Sequence, residues 1–296
     1  MKTAIIILNY NDYENTKKYV ESIKNYQILN KIVIVDNASS RKNEIKKLKK
    51  LENDKIHLVL SDKNGGYAYG NNVGLKWLEK QSKEEKFDYV IISNPDVEVE
   101  ENTIIKCLEY LQQHEKTAIV APRMHFINGP ARRSSWKKRT FMIDVASSTR
   151  LTELLFYPFL KKGEFTKEEL QKEQLRVFAV AGSFYVANFD RLKEVDFLDE
   201  NTFLFFEEDI LGEKIEQKGY DIVALNHLKF MHYDSQCIGK LMNMFKKQKI
   251  LFASRIYYHK QYHHINMLQI GIFYLLQYIR MLELCLEVPI RKLLNR

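Results

Sequence analysis

The chain has 296 residues, 45% hydrophobic and 28% charged, with only 11 Gly and 5 Pro; this is the balance of a soluble globular protein and excludes long disordered tracts. A net charge of +8 suits nucleic acid, anionic lipid or a phosphate-bearing substrate, but no nucleic-acid motif accompanies the basic runs Lys42–Lys50, Arg132–Arg139 and Phe245–Lys249. Cys107, Cys237 and Cys285 are far apart, so no zinc set or disulfide framework is expected, and a reducing cytoplasm is.

The first apolar run, Ala4–Leu8, is too short for a signal-peptide core and reads as a strand. Strand-like runs follow in order: Thr3–Leu8, Lys31–Asp36, Ile56–Leu60, Tyr89–Ser93 and Thr117–Ala121. Continuous Ile/Val runs mark strands buried on both faces, as in a parallel sheet. Between them, Glu14–Asn25, Arg41–Glu52, Ala68–Lys80 and Glu101–Gln113 have helical spacing. The N-terminal half is therefore a βαβ series, and ligands are expected at the carboxyl ends of its strands. Those ends carry Asn9-Tyr10-Asn11, Asp36-Asn37, Asn64-Gly65-Gly66 and Asn94-Pro95-Asp96. Turns favour Asn, Asp and Gly anyway, but four such loops at one edge read as one site.

From Phe126 to Arg176 the periodicity weakens, and Ala131–Arg139 reads as an exposed loop. Strand-like segments resume at Arg176–Gly182 and from Ser183. An aromatic run then leads into Glu207-Glu208-Asp209 at the start of an amphipathic helix ending at Gly219. Acids there are favoured by the helix dipole in any case. The tail from about Gln236 is helical; Ile265, Leu268, Ile272, Leu275, Ile279, Leu282 and Leu286 form an a/d seam. That seam suits packing on the chain's own domain, a homodimer, or a helix lying on an anionic membrane surface beside Lys246, Lys247, Lys249, Arg291, Lys292 and Arg296. Gln269, Gln277, Arg280, Glu283 and Glu287 interrupt Ile265–Ile290, so no spanning helix is expected.

Read together, "IIILNYN", "VIVDNAS", "NGGYAYGNNVG", "ISNPDVEV" and "FLFFEED" resemble, in order and spacing, the family 2 glycosyltransferases of GT-A fold, specifically the rhamnosyltransferase-like branch. The resemblance covers roughly residues 2–232. It implies an α/β, Rossmann-like, mostly parallel mixed sheet flanked by helices. Residues 1–235 would form the transferase domain and 236–296 a C-terminal helical extension. It also implies inverting transfer of a sugar from a UDP- or dTDP-sugar to a hydroxyl of a glycan acceptor, lipid-linked in surface polysaccharide synthesis. The protein would then be cytoplasmic, peripheral on the inner face of the cell membrane.

On this resemblance Asp36 reads the imide N–H of uracil or thymine, with Asn9, Tyr10 and Asn11 beside base and ribose. Asn64, Gly65 and Gly66 let the backbone approach the donor, and Asn71 or Asn72 faces the pocket. Asp96 holds Mg²⁺ or Mn²⁺, with His232 as further ligand and Asn94 as a weaker contact. Many relatives carry Asp where Asn94 stands, and the rhamnosyltransferase-like branch commonly has Asn there. Glu207 and Glu208 fall on the family's Glu-Asp pair, which makes Glu208 the general base and leaves Asp209 open as its alternative. Gly182 and Ser183 wall the acceptor pocket. Two other readings remain: a degenerate nucleotide-sugar-binding scaffold, and a sugar nucleotidyltransferase, which lacks support because no Gly-rich basic loop follows the first strand.

Overall fold

A computed structural model describes residues 1–81, 85–126, 133–233 and 243–294, with the side chains of 290–294 left aside. Arg132, Cys237, Arg296 and the side chains of Arg291 and Lys292, which figured in the expectations above, lie outside the described residues.

The first half alternates as expected: β1 (Thr3–Asn9), α1 (Tyr13–Ile23), β2 (Lys31–Asp36), α2 (Glu44–Lys49), β3 (Ile56–Leu60), α3 (Tyr67–Gln81), β4 (Tyr89–Ser93). A short β5 (Val97–Glu98) precedes α4 (Glu101–Gln113) and β6 (Thr117–Phe126). β1, β2 and β4 are buried almost throughout, because their Ile/Val runs meet helices on both faces.

The sheet order is β3-β2-β1-β4-β10-β6-β11-β5, where β10 is Phe184–Asn188 and β11 is Asp221–His232; β8 (Gln174–Val177) also pairs with β11. β1 pairs in parallel with β2 and β4, and β2 with β3. The βαβ progression stops at β4, because β10 inserts antiparallel between β4 and β6. Two apolar clusters line the faces. One packs Leu75, Leu78, Leu211 and Ile215 on the sheet, the other Tyr19, Ile23, Ile104 and Leu108.

Ala131–Arg139 departs from expectation where it is described. Ser135–Trp136 forms β7, antiparallel to β9 (Ala179–Val180), and Ser135 is buried. Periodicity misses a two-residue bridge. Four short helices follow: α5 (Phe141–Ala146), α6 (Arg150–Leu155), α7 (Tyr157–Lys162) and α8 (Lys167–Gln171). Then α9 (Phe189–Glu194) and α10 (Glu207–Gln217) pack on the sheet.

The tail forms α11 (Met244–Tyr262) and α12 (Met267–Leu294). By length and composition Met267–Pro289 could cross a membrane, its best window averaging a mean hydropathy of 1.2, despite the interrupting polar residues. The heptad seam is not buried inward as a unit: Leu268, Leu275, Leu282 and Leu286 are exposed, whereas Phe273, Leu276 and Leu284 face the protein.

Gly66 sits at φ +94°, and a Cβ there would lie 2.0 Å from the Phe203 carbonyl oxygen. Gly66→Ala is expected to lower stability by about 1–3 kcal/mol, read as a fall in the urea midpoint with an unchanged slope.

Candidate functional site

The parallel register sets Asn9 opposite Asp36. Both are buried, and the Asn9 amide donates to Asp36 Oδ1 at 2.8 Å and to Glu44 Oε1 at 3.3 Å. Its oxygen accepts from Thr16 Oγ1 at 2.7 Å. Asn9, fully buried, is thus occupied with holding Asp36. Asp36 also accepts from Ser39, Oγ to Oδ1 at 2.6 Å and N to Oδ2 at 3.1 Å. A carboxylate oxygen has two lone pairs, so Oδ2 retains acceptor capacity. Asn11, at φ +54°, accepts from Arg41 N and donates to Ser40 Oγ, which knits two strand-end loops together. Tyr10 is exposed at the same edge.

The glycine pair approaches protein rather than open space. Gly66 abuts Phe203, and a Cβ on Gly65 would strike the Tyr69 ring at 2.4 Å. Asn64 Oδ1 accepts from Asn37 Nδ2 at 3.1 Å. Asn72 donates to Leu198 O and Glu200 Oε1 and accepts from Leu198 N. It therefore pins the segment before the aromatic run. Asn71 donates to Tyr67 O, and its buried Oδ1 has no hydrogen-bond partner.

After β4, the Asn94 N–H donates to Ser183 O at 2.9 Å. One residue back, the Gly182 N–H donates to Glu208 Oε1 at 3.1 Å, and the Gly182 carbonyl accepts from Tyr67 OH at 2.5 Å. Residues 182–183 thus link the Asn-Pro-Asp turn directly to the acid triplet. A Cβ on Gly182 would lie 2.7 Å from Tyr67 Oη and 3.0 Å from Glu208 Oε1, so glycine is what permits the approach.

The three acids diverge. Glu207 is buried, with Oε2 unpartnered; burial, and then the neighbouring Glu208 charge, push its carboxyl well above the usual range. Glu208 is half-buried, and burial raises it against the opposing hydrogen bonds from its own N–H and that of Gly182. Asp209 is buried and accepts from Trp136 Nε1 at 3.0 Å. Burial lifts it to about 7, against the pull of Arg139 and the Trp136 bond. Of the three, Glu208 alone combines partial exposure with contact to the 182–183 segment.

β5 pairs with the end of β11, His232 opposite Val97. This brings His232 Nε2 to 3.3 Å from Asp96 Oδ1, both side chains largely buried. Neither ring nitrogen of His232 has a hydrogen-bond partner of good geometry. An imidazole and a carboxylate side by side, the imidazole unsatisfied, fit a divalent cation whose other ligands are phosphate oxygens. Among the described residues no group of three or more His, Cys, Asp or Glu forms a fuller metal cage.

The backbone before the acids is strained and clamped. Phe205 and Phe206 sit at φ +71° and +69°, unusual for aromatic residues. The first tail helix holds them. Ser254 Oγ donates to Leu204 O at 2.8 Å, Tyr258 packs 5.3 Å from Phe206, and Tyr257 and Tyr262 both donate to Asp199 Oδ2. Tyr258 and His263 contact Glu213 Oε1. Behind them lies a buried ionic cluster. Asp144 meets Arg139, His259 Nε2 at 2.7 Å and Arg255 Nε at 3.9 Å. No sequence motif assigned a site role to Tyr67, Trp136, Arg139, Asp144 or His259; Tyr67 and Gly182, and His259 and Asp144, meet across 115 residues of chain, and Trp136 and Asp209 across 73.

The glycosyl transferase family 2 model matches residues 4–185. The low-salt glycan biosynthesis hexosyltransferase Agl10 of Haloferax volcanii is 32% identical over 122 residues, 41% of this chain and 36% of that protein. GalNAc-T7, solved with UDP, GalNAc and Mn²⁺, superposes with a TM-score of 0.59 at 16% identity, covering 79% of this chain and 44% of that one. Staphylococcus aureus TarS 1–349, in complex with UDP-GlcNAc, gives 0.54 at 14% identity, covering 88% and 67%. The chain thus spans less than half the length of the first two. The solved structures show the fold, which is GT-A with a C-terminal helical region.

Proposed function

Since the chain belongs to glycosyltransferase family 2, we propose that it transfers a hexose or deoxyhexose, with inversion, from a UDP- or dTDP-sugar to a glycan hydroxyl. The observation that carries this reading is the 182–183 link, which sets the half-buried Glu208 carboxylate beside the Asn94–Asp96 turn. The acceptor oxygen bonds to the anomeric carbon as the bond to the diphosphate oxygen breaks. Glu208 takes the hydroxyl proton, and the nucleoside diphosphate departs with the bonding pair. Asp96 and His232 would hold Mg²⁺ or Mn²⁺, which supplies charge neutralisation for the leaving diphosphate. Asp36 Oδ2, braced by Asn9 and Ser39, accepts the imide N–H of the pyrimidine. Tyr10 flanks the base, Asn94 contacts donor oxygens, and Gly182 and Ser183 border the acceptor. The acceptor is a lipid-linked glycan, and the protein works at the cytoplasmic face of the cell membrane. UDP-GlcNAc in the TarS complex and Mn²⁺ in the GalNAc-T7 structure support a uridine donor with metal.

A thermal-shift panel of UDP- and dTDP-sugars, with and without Mn²⁺, tests the donor side. A ligand at a hundred times its Kd adds about 2.7 kcal/mol. The expected result is a shift with one nucleotide class that Mn²⁺ enlarges, and an Asp96→Ala variant that loses the enlargement. A folded protein that shifts with none of them overturns the reading.

A further inference from the structure

The last helix is built inside out. Leu268, Leu275 and Leu282 recur every seven residues, as do Met267 and Tyr274, and Tyr278 and Leu286 continue the same side. All seven are at least 50% exposed. Its charges face the other way. Arg280 pairs with Glu283 and Glu287, all three largely covered, and Glu283 accepts the N–H groups of Arg150 and Leu151 at the start of α6. A helix on a water-facing surface shows the reverse arrangement.

The apolar face does not end with that helix. Its Glu283 fastens α6, and α6–α7 expose Leu151, Leu154, Leu155, Phe156, Tyr157 and Phe159. With Met142, these two neighbouring regions hold fourteen of the nineteen exposed large apolar side chains among the described residues, so the concentration is not the ordinary scatter of surface leucines.

We propose that this combined face is a lipid-contacting surface, lying along the headgroup boundary of an anionic bilayer. Charge selects lipid over a second copy. Lys161 and Lys162 stand exposed beside the apolar side chains, and Arg150, exposed as well, is paired with Glu153 and Glu287. Against another protomer these cations meet like charges; against anionic headgroups they meet opposite ones. Tyr157, Tyr274 and Tyr278 bring an apolar ring and a polar tip, the combination suited to that boundary. The inward salt-bridge network and the attachment to α6 hold the helix against the body, so it lies on the bilayer instead of crossing it. The surface deepens the membrane location given above but rests on none of the transfer chemistry.

The test is flotation of the full chain with vesicles of phosphatidylglycerol and phosphatidylcholine, against phosphatidylcholine alone. The wild-type chain is expected to float, and more strongly with the anionic lipid. The double variant Leu275→Glu/Leu282→Glu is expected to lose roughly tenfold or more in partitioning, as is Leu154→Glu/Leu155→Glu on the other element. Lys161→Glu/Lys162→Glu is expected to abolish the preference for anionic vesicles. Melting temperature and light-scattering mass are measured alongside. A wild-type chain that stays out of both vesicles, or folded variants that float equally well, overturns the proposal. So does a dimer that the leucine variants split while no form binds lipid. Donor thermal shifts are read on the same variants, so failure of the surface is separable from failure of the transferase reading.

Discussion

Glu208→Gln is expected to cost about 10²–10⁴ in turnover while leaving the donor-induced thermal shift in place. The glutamine keeps the volume and can still accept from the Gly182 N–H, so the 182–183 segment stays where it is. What disappears is the capacity to take the acceptor proton. Asp209→Asn is expected to retain transfer within a few-fold, because that side chain is buried against Trp136 and turned toward Arg139. Single-turnover transfer on both variants decides the matter. If Asp209→Asn is the inactive one, the base is the neighbouring residue. The pH profile carries a second signature. Burial raises the Glu208 carboxyl, and only its ionised form accepts a proton. The acidic limb of kcat therefore lies above the ordinary glutamate value of about 4.3 and rises with pH.

Asp144→Ala is expected to cost about 3–5 kcal/mol, the largest effect on stability among these substitutions. The carboxylate has no exposed surface and serves Arg139, His259 and Arg255 at once. Removing it leaves two guanidinium groups and an imidazole in a pocket with too few acceptors. At about 2–4 °C per kcal/mol in a chain of this size, a calorimetric scan should show a fall of roughly 6–20 °C. A fall of a degree or less would mean that water enters and solvates the cations. The two carboxylates of this region pull stability in opposite directions with pH. Although burial alone would raise it, Arg139, His259 and Arg255 hold the Asp144 carboxyl below the usual range. Its contribution is thus present above the normal carboxylate pKa and lost as pH falls through the depressed value. Asp209 is raised to about 7, so the cost of ionising it grows between about 4 and 7 and is full above that. Denaturant midpoints should therefore decline from pH 4 to 7, and Asp209→Asn should flatten the decline.

The sheet edge that carries the candidate site was legible because its information is local. Ile/Val runs marked the strands, and polar residues at their ends marked one rim. The hydrogen-bond partners of individual side chains at that rim were not legible, since type and position do not reveal orientation. Asn9 and Asn72 turned out to be braces, each with both ends of its amide engaged. The insertion of β10 between β4 and β6 was not legible, because an antiparallel strand carries the same Ile/Val/aromatic signature as a parallel one. Nor was the aromatic turn: a positive φ at Phe205 and Phe206 runs against residue preference and is imposed by contacts with Ser254 and Tyr258. The heptad seam was seen, but spacing alone could not say which side of the helix meets the body.

That turn has a consequence for the order in which the molecule is made. The strand ends that converge on the Asn-Pro-Asp turn are all present once residue 96 has been added to the chain. The turn that precedes Glu208 is held by Ser254 and Tyr258, and the helix that begins there by Tyr258 and His263. Domains fold as they emerge, amino end first. During synthesis the residues of the rim therefore emerge early, while the contacts that fix the turn before Glu208 wait for residues 254–263.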